Sequence, residues 1–159
     1  MSVSLYGNGQ TVVQTANYQT GAVATGTTLI STSGIPTTSS GTQFMSLSFT
    51  PLNSANKLLI SVTVNISAST GNQFLAAALF QSGNSNALAV NSVYNNQATG
   101  TSIISFSYYM TAGTTSSTTF TVNAGGSASG TFTFNGSGGS VLYGGVLASS
   151  ITIQEIATS

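Results

Sequence analysis

Apolar and polar residues alternate with a period of two along several stretches of the chain. The clearest stretch covers residues 58–66, where every second residue is leucine, isoleucine or valine and most residues between them are serine, threonine or asparagine. Successive side chains of a β-strand point to opposite faces, so this pattern predicts a strand with one buried and one polar face. The same alternation occurs at 45–49, 104–110, 120–122, 132–134 and 151–153.

Helical periodicity is weak throughout. Only residues 74–80, which include three alanines, are compatible with a helical turn, and the flanking turn residues favour a strand there too. Clusters of glycine, asparagine, serine and proline separate about eight to ten predicted strands, a pattern typical of a two-sheet sandwich or a jelly roll. We therefore predict an all-β, antiparallel, jelly-roll-like β-sandwich as a single domain over residues 19–159, preceded by an N-terminal attachment arm over residues 1–18.

The composition excludes most catalytic chemistry. Among 159 residues there is one lysine, Lys57, one glutamate, Glu155, and no arginine, aspartate, histidine or cysteine. Acid–base catalysis needs groups that titrate near neutral pH, metal sites need imidazole, thiolate or clustered carboxylates, and thiol catalysis needs cysteine. We predict that the protein is not an enzyme and that it has no catalytic residues, no metal site and no cofactor.

The same composition bears on partners. Without a cluster of basic residues the chain lacks the charges that neutralise nucleic-acid phosphates, so we expect no nucleic-acid partner. The longest apolar stretches fall far short of the ~20 residues of a spanning helix, and we expect no membrane insertion. A net charge of zero gives little repulsion between copies. We therefore expect the protein to assemble with other subunits.

Four stretches of the sequence are similar to a known domain: GTQFMSLSFTPLNSANKLLISV, LAAALFQ, MTAGTTSSTTFTVNAGG and TFTFNGSGGSVLYGGVLASSITIQEI. They resemble a domain common at the carboxyl end of bacteriophage tail-fibre and related virion proteins, over about residues 19–156. The most specific segments are 51–62 and 143–156. The resemblance implies a jelly-roll-like sandwich that forms a homotrimer, with a structural or adhesive activity.

Several residues are candidates for contacts. Lys57 and Glu155 form either a single ion pair, within or between subunits, or two solvated strand ends; the parity that Glu155 shares with Ile151 and Ile153 predicts partial burial. Adjacent Tyr108 and Tyr109 face opposite sides of one strand, so one belongs to the core. The candidate glycan or interface contacts are Tyr94, Tyr108, Tyr109 and Tyr143. Gly144 and Gly145, which follow Tyr143, predict a bulge or a close approach of backbones near the trimer axis.

The arm over residues 1–18 carries enough apolar surface to add a strand to a neighbouring protein. Its candidate attachment residues are Val3, Leu5, Tyr6, Val12 and Val13. From these observations we expect a bacteriophage virion surface protein, a trimeric module of a tail fibre or short fibre that contacts other virion proteins of the tail, baseplate or capsid and has a possible host-surface glycan partner. The alternatives are a capsid decoration protein and a carbohydrate-binding module. The expected location is the virion surface, after synthesis in the host cytoplasm.

Overall fold

A computed structural model describes residues 10–158, and their regular structure is almost entirely β-strand. The first sheet contains β1 (Val12–Thr20), β2 (Ala24–Gly26), β4 (Lys57–Ala68), β7 (Thr101–Thr111), β9 (Phe132–Phe134) and β12 (Ser149–Ile156). The second contains β3 (Thr42–Phe49), β5 (Gln73–Gln81), β6 (Ala89–Asn95) and β8 (Thr118–Gly126). A short ribbon joins β10 (Gly136–Ser137) to β11 (Ser140–Val141), followed by a 3₁₀ turn at Tyr143–Gly145.

The eight long strands pair as a jelly roll. Strand β1 pairs with β12, β3 with β8, β4 with β7 and β5 with β6, all antiparallel. This first-with-last pairing is that of a long hairpin rolled into two sheets. The sheet orders, β1-β12-β4-β7 and β3-β8-β5-β6, follow from it. The predicted all-β antiparallel sandwich is confirmed.

The predicted buried faces form the core between the two sheets. Leu58, Ile60, Val62, Val64 and Ile66 of β4 are all buried, and the register places them beside the buried faces of β12 and β7. Phe120 and Val122 of β8, Ile151 and Ile153 of β12, and the phenylalanines of β9 belong to the same cluster. Each fully buried Leu, Ile, Val or Phe contributes roughly 1.5–3 kcal/mol to stability relative to an exposed position.

The domain boundary at residues 18 and 19 is wrong. Strand β1 begins at Val12 and pairs with β12 as far as Thr20 opposite Ser149, so the latter part of the proposed arm is an integral strand of the first sheet. Ala157 extends the pairing by donating to the carbonyl oxygen of Thr11 at 2.8 Å. Val12 and Val13 lie exposed on this edge strand. Val3, Leu5 and Tyr6 lie outside the described residues, and attachment through these five residues stays a prediction.

Strand β5 has two buried faces, which explains why its apolar residues form a continuous run. Leu75, Ala77 and Leu79 face the main core, whereas Ala76, Ala78 and Phe80 form a second cluster with Ile30. Ile30 belongs to a segment, residues 27–41, that crosses the outer face of the second sheet; we call this segment the strap. The ambiguity between strand and helix at residues 74–80 is thus settled as a strand covered on both sides.

Backbone hydrogen bonds hold the strap against the second sheet and against the turn after β5. Ile30 donates to the carbonyl oxygen of Gly126 at 2.9 Å, and Thr38 donates to that of Ser85 at 2.9 Å. Beneath it, a Cβ atom on Gly125 would lie 2.4 Å from the carbonyl oxygen of Thr28, closer than two such atoms can approach. Glycine at this position allows the strap backbone to lie directly on β8.

Candidate functional site

Glu155 lies fully buried on the inner face of β12. Its carboxylate accepts hydrogen bonds from the backbone amides of Leu52, at 2.9 and 3.0 Å to its two oxygens, and Asn53, at 3.1 Å. The side-chain amide of Asn56 is the third donor, at 2.7 Å. A buried carboxylate is tolerated only when it is well hydrogen-bonded. Glu155 therefore acts as an anchor for the loop between β3 and β4.

Lys57 does not pair with Glu155, and the predicted ion pair is wrong. The register places Lys57 opposite Ile156 and Leu58 opposite Glu155, so the two charged side chains leave the sheet on opposite faces. The ammonium of Lys57 donates instead to the hydroxyl of Thr111 at 2.6 Å. Because Glu155 is shielded from solvent, a lysine of a second copy cannot reach it either. The alternative of two solvated ends is also wrong for Glu155.

The four candidate tyrosines do not form one site. Tyr108 packs against the main core and Tyr109 is exposed on the other face of β7, as their adjacency predicted. Tyr94 lies on the outer face of the second sheet, where its ring contacts Phe74 edge-on with centroids 5.2 Å apart. Tyr143 is 77% exposed in the 3₁₀ turn. Glycan contact by any of them stays a prediction.

The glycines after Tyr143 allow two backbones to meet. Gly144 and Gly145 both have positive φ, at 64° and 89°. A Cβ atom on Gly21 would lie only 1.8 Å from the carbonyl oxygen of Gly145. Two backbones of the same chain therefore meet here, this turn and the segment after β1, whereas a close approach near a trimer axis stays a prediction.

The outer face of the first sheet is a broad surface of small polar side chains. Hydroxyl pairs cross its strands, from Ser61 to Ser107 at 3.1 Å and from Thr63 to Ser105 at 3.2 Å. Exposed Ile103 and Tyr109 lie on the same face of β7. The one cationic side chain on this face, Lys57, is at the first position of β4 and so at the margin.

The outer face of the second sheet carries two clefts, one on each side of the strap. The first, which we call the aromatic cleft, has a volume of about 300 Å³. Its lining includes Ile30, Pro36, Phe74, Ala76, Val90 and Ser92. Apolar side chains dominate this cleft, and Tyr94 packs against Phe74 beside it.

The second cleft has a volume of about 240 Å³, and we call it the amide cleft. Its lining includes Gln43, Phe80, Gln81, Thr119, Thr121 and Asn123. Asn123 is 4% exposed, and its amide nitrogen donates to the strap carbonyls of Thr38, at 3.3 Å, and Ser40, at 2.9 Å. Its carbonyl oxygen Oδ1 is buried with no hydrogen-bond partner among the described residues.

Sequence reasoning missed both clefts. The signal for the amide cleft was present, because Thr119, Thr121 and Asn123 alternate with the core residues Phe120 and Val122 and so share the outer face of β8. No pattern indicated the strap, since residues 31–41 resembled a cluster of turn formers. Without the strap, an exposed row of amides and hydroxyls gives no indication of a concave site.

Within residues 10–158, no three histidine, cysteine, aspartate or glutamate side chains come together as a possible metal site. In the same part of the chain, no helix combines the length and the hydropathy that crossing a bilayer requires.

The chain matches a protein-family model described as the Pgp3 C-terminal domain, which aligns with residues 16–159. No curated protein sequence matches the chain.

Among solved structures, the fold is similar to chains from infectious bursal disease virus. The structure of the Gt strain gives a TM-score of 0.43 at 14% identity, covering 93% of this chain and 39% of that one. The VP2 subviral particle of the same virus gives 0.41 at 16% identity, with coverages of 92% and 39%. The present chain therefore spans about two fifths of the length of these viral chains.

Proposed function

The chain belongs to the Pgp3 C-terminal domain family, and we propose that this member is a structural module of a bacteriophage virion surface that assembles as a homotrimer. The observation that carries the proposal is the outer face of the first sheet, which combines exposed Ile103 and Tyr109 with uncharged hydroxyl pairs. Such a face can be buried between subunits without the desolvation cost of ions.

The resemblance to tail-fibre domains has a structural counterpart. Its two most specific segments, 51–62 and 143–156, meet at Glu155, because the backbone amides of Leu52 and Asn53 in the first segment bind the carboxylate in the second. Contacts between the two segments therefore hold one corner of the sandwich together. This supports a rigid module. The location that we propose on the virion is a tail fibre or short fibre, with decoration of the capsid as the alternative.

A pair of matched variants tests the trimer. Ser107 is exposed on the proposed contact face and Ser46 is exposed on the outer face of the second sheet. We expect the wild-type protein to sediment with the mass of three chains, Ser107→Arg to dissociate it and Ser46→Arg to leave it intact, because an unpaired buried charge costs several kcal/mol. A wild-type monomer refutes the trimer, and dissociation by Ser46→Arg alone refutes the choice of face.

Cryo-electron microscopy of assembled particles tests the location. Trimeric density projecting from the tail is the expected result. Trimers seated on the capsid lattice replace the fibre role with decoration, and particles that lack the chain refute a virion role altogether.

A further inference from the structure

We propose that the aromatic cleft binds a neutral saccharide of one or two rings. The cleft lies on the outer face of the second sheet, between the strap and strand β6, and Thr32, Phe74 and Ser92 are among its lining residues. Its volume of about 300 Å³ is at the lower end of the ~300–1,000 Å³ range of ligand pockets, which suits a short ligand. The site selects Tyr94 among the four candidate tyrosines, and it lies on the sheet that the proposed trimer contact does not use.

The pairing of β5 with β6 forms the floor of the cleft. Three cross-strand pairs follow one another on the outer face: Phe74 with Tyr94, Ala76 with Ser92, and Ala78 with Val90. The middle pair is small, so a concavity opens above Ala76, and Ile30 and Pro36 of the strap close its opposite side. Since a strand rises about 3.4 Å per residue, the two outer pairs lie about 13 Å apart, a length that one or two sugar rings fill.

The apolar side chains that would meet the ligand are accessible. Phe74 is 43% exposed, Val90 48% and Tyr94 54%. The rings of Phe74 and Tyr94 stand at 75° to each other, and this edge-on contact holds them as an apolar wall at one end of the cleft. The C–H face of a sugar ring can pack on such a wall, because the faces of aromatic rings carry partial negative charge and the C–H groups partial positive charge.

Hydroxyl groups in and beside the cleft are free to bind. Those of Thr32, Ser92 and Tyr94 make no hydrogen bond with another residue among residues 10–158, and all three residues are exposed. The neighbouring hydroxyls of Ser31 and Ser33, in contrast, bond to each other at 3.0 Å. A hydroxyl offers both a donor and acceptors, which matches the dual character of sugar hydroxyls. The cleft therefore provides the two kinds of contact that a sugar ring makes.

Charge and polarity decide among the classes of ligand. Lys57 and Glu155 are the two charged side chains of the sequence and both belong to the first sheet, so the cleft contains no charged side chain. An ionic ligand would lose hydration without gaining a counter-charge. A ligand without hydroxyls would cover those of the cleft and leave them unpaired. A neutral ring with several hydroxyls and an apolar face avoids both costs.

The test is ¹H–¹⁵N NMR titration of the 159-residue protein with four neutral sugars: D-glucose, D-galactose, D-mannose and N-acetyl-D-glucosamine. Glucose 6-phosphate is the charged comparison, and cyclohexanol, a ring with a single hydroxyl, is the apolar one. We expect saturable shifts at the backbone amides of Thr32, Ser92 and Tyr94 with at least one neutral sugar, and a dissociation constant on the order of 1 mM. Both comparison ligands should bind more weakly than that sugar.

Matched variants locate the site. Tyr94→Leu removes the ring and keeps apolar bulk, whereas Ser92→Val removes a hydroxyl and fills the floor of the cleft. Each should weaken binding about 3- to 10-fold. Tyr18→Leu on β1 and Ser46→Val on β3 make similar changes at other exposed strand positions and should leave binding unchanged. Well-dispersed spectra of all four variants verify that each is folded.

Several outcomes overturn the proposal. Absence of saturable shifts with all four sugars means that the cleft holds water only. Tighter binding of cyclohexanol or of glucose 6-phosphate than of every neutral sugar assigns the cleft to another class of ligand. Sugar binding that is unchanged in both Tyr94→Leu and Ser92→Val, or shifts confined to residues outside the cleft, places the sugar elsewhere on the protein.

The saccharide site and the trimer fail separately, because the cleft and the proposed contact face lie on different sheets. A trimer that binds none of the sugars refutes the saccharide site and leaves the proposed assembly intact. A monomer that binds sugar with the predicted variant profile refutes the trimer and leaves the site.

Discussion

The hydroxyl of Ser149 donates a 2.6 Å hydrogen bond to the side-chain oxygen of Asn135, and both residues are fully buried. The same hydroxyl accepts from the backbone amide of Asn65 at 2.8 Å. Asn135 in turn donates to the carbonyl oxygen of Thr20 at 2.7 Å and to that of Ala22 at 3.1 Å. One serine thus connects β12, β4 and the residue after β9, and through Asn135 the end of β1.

Replacing Ser149 with alanine should destabilise the fold by about 2–4 kcal/mol, because it leaves a buried donor and a buried acceptor unpaired. The measurement is urea unfolding, with a lower midpoint and an unchanged slope. Ser150→Ala is the matched control: Ser150 is the next residue along β12, is partly exposed and should change stability by less than about 0.5 kcal/mol. Equal midpoints for the two variants would contradict a structural role for the buried network.

Replacing Glu155 with glutamine should cost about 1–3 kcal/mol, because the new NH₂ group, placed where Oε2 was, cannot accept from the backbone amide of Leu52, and the remaining oxygen no longer carries a charge for the amides of Asn53 and Asn56. Lys57→Gln, which removes the other charge, should stay within about 0.5 kcal/mol of the wild type. The double variant should show the sum of the two effects. A coupling energy well above about 0.5 kcal/mol in this cycle would restore the ion pair that the structure rejects.

The sequence predicted the core well because a period of two identifies the buried face of a strand without reference to its neighbours. Val62 and Val64 were placed correctly for this reason. Strand β1 was missed because Val12 and Val13 are adjacent, so its start has no alternation; the structure has a register shift at this point. Its place in the sheet depends on pairing with β12, more than a hundred residues away. A local pattern of residues gives no information about a pairing over that distance.

The candidate site was harder to predict, since its features arise from backbone groups. The donors to Glu155 include two main-chain amides, a group that every residue except proline carries. The unpaired oxygen of Asn123 depends on where the strap places the carbonyls of Thr38 and Ser40. Residue types predict which faces of the strands are polar. The contacts that orient Asn123 form only when the strap is folded over β8.

Replacing Ile30 with alanine should loosen the strap while the jelly roll stays folded, because Ile30 belongs to the small cluster with Ala76, Ala78 and Phe80 and not to the main core. Hydrogen exchange should accelerate about tenfold or more at the amides of Thr38 and Gly41, which bond to Ser85 and Leu29. The amides of β4 should be much less affected. Leu29→Ala, at an exposed neighbouring position, serves as the control. Uniform acceleration across β4 would mean that the strap is part of the global folding unit.

The proposed trimer should be nearly insensitive to sodium chloride, because its contact face contains hydroxyls and apolar side chains and, at the margin, a single lysine. Screening weakens associations that rely on exposed charges, whereas contacts between neutral groups offer little for salt to screen. Between low and high sodium chloride we expect the dissociation constant from sedimentation equilibrium to change by less than about twofold. Ser107→Lys should weaken the assembly and make it salt-dependent, since salt would then screen the repulsion between the added charges. A steep salt dependence in the wild-type protein would show that Lys57 contributes to the contact and would move the interface toward that corner of the sheet.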